Sequence, residues 1–154
     1  MSTDYYPTPD YSFKPLIKYL PKDIPIWEPA CGDKRLIKWM KEENLEADGA
    51  DLLDSKPYNF LDDFKIYQCI VTNPPFSLAF DFCKHAVNIC PEVFFLLRLN
   101  FLASKKRKFW FINNTPSALF ILSKRPSFDG SGGTDMTDYA WYYWGKRYNK
   151  IYFI

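Results

Sequence analysis

The spacing of apolar residues along the chain alternates between helical and strand-like periods. Phe13, Leu16, Ile17 and Leu20 fall at i, i+3, i+4 and i+7, which predicts an amphipathic helix after Ser12. Ser12 is placed to cap it, and Pro15 suits a first turn that needs no amide donor. Ile24, Pro25, Ile26 and Trp27 predict a short strand ending at Glu28, and Leu36, Ile37 and Met40 a helix over 34–41. Weak strands are expected at 47–51 and 58–61. A firmer one at 67–72 is stopped by Pro74 and Pro75, which cannot donate to a ladder. Leu78, Phe82, Ala86 and Ile89 form the stripe of the next helix, and 93–97 is a continuous apolar run of the kind buried in a parallel sheet. A helix over 105–113, a strand at 118–122, an irregular glycine-bearing stretch over 125–138 and an aromatic strand at 139–144 follow. The last segment, 150–154, is expected to pair with that aromatic strand across a turn containing Gly145. Alternating strands and helices predict an α/β fold: a Rossmann-like, doubly wound, mostly parallel sheet with an antiparallel carboxyl-terminal strand.

A length of 154 residues fits one domain, 1–154, without a separate target-recognition domain. Lys and Arg number 20 against 18 Asp and Glu, so any basic surface must be local. The aromatic share of 19% serves a core or a surface that stacks on bases, and does not separate the two. No apolar run is long enough to cross a bilayer and the amino terminus lacks a signal pattern, so no membrane is expected as partner and the location is expected to be cytoplasmic, in the host if the chain is phage-encoded. Cys31, Cys69, Cys83 and Cys90 lack paired zinc spacing and are read as reduced, buried thiols; no metal is expected. His85, the only histidine, is read as a bystander on a helix surface.

In doubly wound sheets ligands bind beyond the carboxyl ends of the strands. The least ordinary residues lie there: Glu28-Pro29-Ala30-Cys31-Gly32-Asp33, then Asp51, then Asn73-Pro74-Pro75-Phe76, then Arg98 with Asn100.

With these residues the chain resembles class I S-adenosylmethionine-dependent methyltransferases, in particular the phage-type DNA adenine N6-methyltransferases. The resemblance runs from Tyr6-Pro7-Thr8-Pro9 to about Trp144. Asn73-Pro74-Pro75-Phe76 matches the catalytic tetrapeptide, Ile26 to Gly32 the cofactor loop, and Tyr6-Pro7-Thr8-Pro9 an amino-terminal cofactor motif. The second glycine common in that loop is replaced by Asp33 and Lys34, and Asn59 stands where an acid often precedes Phe60. The resemblance implies S-adenosyl-L-methionine as cofactor, held by Tyr6, Thr8, Pro9, Glu28, Pro29, Ala30, Cys31, Gly32, Asp51, Leu52, Phe60 and Asn73. Among these, Asp51 would meet the ribose and Phe60 the adenine ring. It implies DNA as partner, with the target adenine flipped or single-stranded.

The tetrapeptide also has a chemical reading of its own. An exocyclic amine is a poor nucleophile because its lone pair is delocalised into the ring. The Asn73 oxygen and Pro74 carbonyl can accept its hydrogens, Pro75 adds rigidity, and Phe76 can stack on the base. On the target side stand Arg98, Asn100, Arg125 and Phe128, the last equally readable as a core aromatic. Lys105, Lys106, Arg107 and Lys108 read either as a phosphate patch or as a solvated helix face. Methylation of RNA bases or protein glutamine, and cofactor binding without catalysis, are the rival readings. Sequence specificity is expected from the short loops or from a second subunit, or is expected to be slight, and a homodimer is one partner reading.

Overall fold

The computed structural model describes residues 5–129, 133 and 136–154. Its elements are α1 (Asp10–Ile17), β1 (Ile26–Glu28), α2 (Arg35–Glu42), β2 (Ala47–Gly49), β3 (Cys69–Thr72), α3 (Ala79–Ile89), β4 (Val93–Arg98), α4 (Lys108–Asn113), β5 (Ala118–Ile121), β6 (Tyr139–Trp144) and β7 (Ile151–Phe153). The strands form one sheet in the order β2-β1-β3-β4-β6-β5-β7. Neighbours pair in parallel except β6, which runs antiparallel to both β4 and β5. This is the expected Rossmann-like α/β sheet with an antiparallel strand late in the chain.

The period-2 pattern of the long strands feeds two apolar layers. On one face Phe94, Leu96, Tyr139, Trp141 and Tyr143 pack with Phe13 and Leu16 of α1 and with Ile37 and Met40 of α2. On the other, Phe95, Leu97, Tyr142 and Trp144 pack with Phe82, Cys83 and Ala86 of α3 and with Phe111 of α4. Every side chain of β6 is buried, including Trp141, whose indole donates to the Ser12 carbonyl at 2.8 Å. Much of the aromatic content is therefore core.

Four local expectations are corrected. The first helix starts at Asp10 after Pro9, so Ser12 lies fully buried inside it instead of capping it, and Pro15 sits in its body. The stretch 58–61 is no strand: Asn59 accepts from the Leu61 amide and starts a 3-10 turn at Phe60–Asp62. β7 pairs with β5, not with the aromatic strand, because β6 is already flanked on both sides. α4 begins at Lys108, leaving Lys105 and Lys106 on the preceding turn. His85 is also tied in, its Nε2 lying 2.6 Å from the Asp63 carbonyl oxygen and its ring edge-on to Phe60 and Phe64.

The four described cysteines are free and buried. Among the described residues no helix is long and apolar enough to cross a membrane, and no cluster of His, Cys, Asp and Glu could hold a metal.

Candidate functional site

Strand order reverses at β1, whose neighbours β2 and β3 both follow it in sequence. Since β1 to β4 are parallel, Glu28, Asp51, Asn73 and Arg98 all come to one edge of the sheet, and a crevice opens there between the loops after β1 and β3. It is a cavity of about 240 Å³ lined by Glu28, Ala30, Cys31, Gly32, Asp51 and Asn73 among others.

Backbone hydrogen bonds lace the loops after β1 and β2 together on its floor. The Ala50 amide donates to the Glu28 carbonyl at 3.1 Å and the Cys31 amide to the Ala50 carbonyl at 3.2 Å. Gly32 and Lys34 both have positive φ, 49° and 63°, which turns the chain sharply from β1 into α2. The Gly32 amide then donates to Asp51 Oδ2 at 2.8 Å, while Asp51 Oδ1 accepts from the Leu53 amide at 2.9 Å. Asp51 is thus the clasp between the two loops. Gly49 permits their approach: a Cβ there would run into the Glu28 carbonyl oxygen and lie 2.9 Å from Ile37 Cδ1.

Glu28 is 1% exposed, and neither carboxyl oxygen has a hydrogen-bond partner. Burial pushes its pKa well above the carboxylate range. The neighbouring Thr72 hydroxyl and Ala30 backbone pull the other way without completing regular hydrogen bonds, and the Asp51 charge adds to the rise. Burial, with the negative charges of Glu28, Asp54 and Asp51, also pushes the Cys31 thiol up to about 12, so it stays protonated. A cavity with this many carboxylates and an unpartnered buried acid is suited to a cation. The apolar Leu52 and Leu53, both exposed, also line it.

Asn73 lines the same cavity, with its orientation set from one side. Its Nδ2 donates to the Tyr6 carbonyl and to Thr8 Oγ1, each at 3.1 Å, and because a carbonyl can only accept, the amide nitrogen must face it. The Asn73 Oδ1 atom is left buried with no partner. Thr8 is itself 3% exposed, and its carbonyl accepts from Arg35, whose guanidinium is paired with Asp33. Two residues of the amino-terminal segment therefore hold the amide.

Beyond Asn73 lies an aromatic group. Tyr6 stacks on Phe76 with ring centroids 4.6 Å apart, and Phe128 meets both rings edge-on at 6.1 and 5.8 Å. The Arg98 guanidinium lies over Phe76 at 5.1 Å and donates to the Tyr139 hydroxyl at 3.0 Å. Phe128, 9% exposed, belongs to the core and to this group at once.

Of the twelve residues expected at the cofactor, Tyr6, Thr8, Glu28, Ala30, Cys31, Gly32, Asp51, Leu52 and Asn73 line the cavity. Pro9 and Pro29 do not; Pro9 precedes α1, and Pro29 shapes the turn beside Glu28. Phe60 is the clear correction. The turn started by Asn59 folds its ring inward against Phe82 and His85, leaving it 1% exposed and away from the cavity. Of the tetrapeptide, Asn73 and Pro75 line the cavity, Pro74 is buried, and Phe76 faces the aromatic group. On the target side, Arg125 is paired with Asp138 at 2.7 Å. Arg107 turns inward onto the Phe101 ring and carbonyl, leaving Lys105, Lys106 and Lys108 as the outward cations of the run, and Asn100 is exposed in a 3-10 turn after β4. The sequence reading missed Tyr5, Arg35 and Leu53 as lining residues and took Asp33 only as a departure from the loop pattern.

No protein-family model matches the chain, and no curated protein matches it in sequence. Solved structures do match in shape. One is a candidate class I S-adenosylmethionine-dependent methyltransferase from Listeria monocytogenes, 14% identical, with a TM-score of 0.70 over 100% of this chain and 67% of that one. Another is a candidate RNA methyltransferase from Pyrococcus horikoshii, 12% identical, with a TM-score of 0.52 over 89% of this chain and 79% of that one. The switch-point cavity and the order of the sheet thus sit in a chain whose fold is that of the class I methyltransferases.

Proposed function

We propose that the protein transfers a methyl group from S-adenosylmethionine to the N6 amine of adenine in a nucleic acid, with DNA as the favoured form. One observation carries the reading: Asn73, at the carboxyl end of β3, is held by two acceptors on its nitrogen while its buried oxygen has no partner. A buried acceptor without a donor is costly, and a substrate amine would satisfy it. The neighbouring Phe76 ring offers a stacking face, which a purine uses fully and an aliphatic amide does not.

The cavity residues fit the cofactor by charge and shape. Glu28 would meet its cationic end, Asp51 its ribose hydroxyls, and Leu52 and Leu53 the faces of its adenine ring. When bound, S-adenosylmethionine supplies an electrophilic methyl on a sulfonium whose departing bond leaves its electrons on sulfur. Asn73 Oδ1 and the Pro74 carbonyl would accept hydrogen bonds from the amine and aim its lone pair at the methyl carbon. The N–C bond forms as the S–C bond breaks and the methylated nitrogen then loses one proton to solvent, so the acceleration comes from positioning and preorganised dipoles without a strong base.

Cofactor affinity should rise with pH. In the free protein burial keeps the Glu28 carboxyl protonated above its usual range, and a bound cation favours the charged form. Binding therefore releases a proton, and affinity climbs until pH passes the raised value of the free protein. Titration calorimetry across pH should show this slope in the parent and lose it in Glu28→Gln; a flat parent profile would remove Glu28 from the cation site.

A nucleic-acid substrate fits the charge pattern. Seven of the twenty Lys and Arg fall within residues 93–128, a stretch with no Asp or Glu. Lys105 and Lys106 are exposed on a turn that follows the carboxyl end of β4, the edge where Asn73 stands. Converting both to Gln should weaken binding to all DNA sequences alike and reduce the salt slope by about 2, since each phosphate contact contributes roughly 0.9. An unchanged slope would make the run a solvated surface.

The function is tested by incubating the protein with methyl-labelled S-adenosylmethionine and separated DNA, RNA and protein pools, then analysing the labelled nucleoside or residue. N6-methyladenine in DNA is the expected product. Label in RNA alone would move the substrate, as the name of the Pyrococcus neighbour suggests for that protein, and label in glutamine would overturn the reading.

A further inference from the structure

We propose that Tyr6 determines which nitrogen substrates the site accepts, because its ring occupies the face of Phe76 that a planar target must take. The inference rests on the reading of Asn73 and Phe76 as the substrate cradle and deepens it.

Two independent observations meet at this residue. The first is the stack itself, at 4.6 Å between centroids and 26° between planes. A base sandwiched between two rings needs about 7 Å, twice a contact distance of ~3.5 Å, so no base fits between Tyr6 and Phe76 as they stand. The second is the state of Asn73, whose oxygen has neither solvent nor partner. A substrate amine can reach it only if a neighbour moves.

Tyr6 is the neighbour able to do so. Its side chain is 43% exposed and belongs to neither core cluster, so swinging the ring out empties no packed interior. Its carbonyl, which orients Asn73, is backbone and stays in place when the ring turns. Phe128 is 9% exposed and wedged against Tyr139 as well as Phe76, which makes it the fixed edge of the slot. Entry is thus an exchange of one stacked ring for another. A purine replaces the lost stack with its own π-face, whereas a glutamine amide presents too small a plane to do so. Tyr6 thereby selects heteroaromatic amines over aliphatic amides.

The parent protein, Tyr6→Ala, Tyr6→Phe and Phe76→Ala are compared in two assays. In the first, a single-stranded oligonucleotide carrying one 2-aminopurine is titrated, and quenching of its emission reports stacking. Tyr6→Ala should quench at lower protein concentration by about twofold to twelvefold, the factors equivalent to roughly 0.5–1.5 kcal/mol for an aromatic pair. Tyr6→Phe restores the parent's affinity, and Phe76→Ala loses the quench. In the second assay, KM for an adenine oligonucleotide falls in Tyr6→Ala by the same factor, and a glutamine peptide becomes a substrate. Weaker or unchanged quenching in Tyr6→Ala, or no quenching in the parent and Tyr6→Ala alike, would overturn the proposal. If quenching responds as expected but no variant methylates any nucleic acid, the assignment of Tyr6 as a base placeholder stands and the proposed function fails.

Discussion

Asn73→Ala is expected to lower methyl transfer to adenine by about 10²–10³-fold, the loss seen when one preorganised polar partner of a reacting group is removed. S-adenosylmethionine affinity should change far less. The difference follows from where the amide points. Its nitrogen is engaged by the Tyr6 carbonyl and Thr8 Oγ1, so the oxygen is the atom left for a substrate. Truncation removes the acceptor aimed at the amine and leaves the Glu28 and Asp51 side of the cavity untouched. Steady-state rates under saturating cofactor, beside a calorimetric titration of the cofactor, separate the two effects. A variant that methylates as fast as the parent would mean that Pro74 and Pro75 do no more than end β3.

The sheet edge that carries the site was legible because the strong signals sit at strand ends. The continuous apolar run marks β4 as a buried parallel strand and Pro74 and Pro75 mark the end of β3, and the residues at the two strand ends, Asn73 and Arg98, fall on the same edge. Aromatic richness located β6 as well. The failures share a cause, in that each depended on a partner distant in sequence. Phe60, which the resemblance implied as the neighbour of the adenine ring, is instead packed under α3. The pairing of β7 with β5 depends on β6 being enclosed on both sides, which no local pattern states. The grip of Tyr6 and Thr8 on Asn73 spans more than sixty residues and has no periodic signature. Arg35 is similar: its place one turn past Gly32 was visible, yet its bond to the Thr8 carbonyl required the fold.

Asp51→Ala should weaken S-adenosylmethionine binding by roughly tenfold or more, and for two reasons that can be separated. A charged hydrogen bond to a ribose hydroxyl contributes about 1.5–3 kcal/mol, which alone corresponds to about ten- to a hundredfold. The same carboxylate accepts the Gly32 amide at 2.8 Å and the Leu53 amide at 2.9 Å, so its loss also removes the side-chain tie between the loop after β1 and the loop after β2, leaving the backbone bonds of Ala50 to hold them. Carboxylate oxygens each carry two acceptor sites, so the clasp and a ribose contact are compatible. Asp51→Asn distinguishes the contributions. The asparagine oxygen can keep one amide, whereas its NH₂ group faces the other N–H and cannot accept from it. If the ribose contact dominates, Asn should recover part of the affinity lost in Ala while both variants melt near the parent temperature. If the clasp dominates, both variants should melt lower, and affinity should fall together with stability. Calorimetry and thermal melts of the two variants make the comparison, and unchanged cofactor affinity in a folded Asp51→Ala would remove Asp51 from the site altogether.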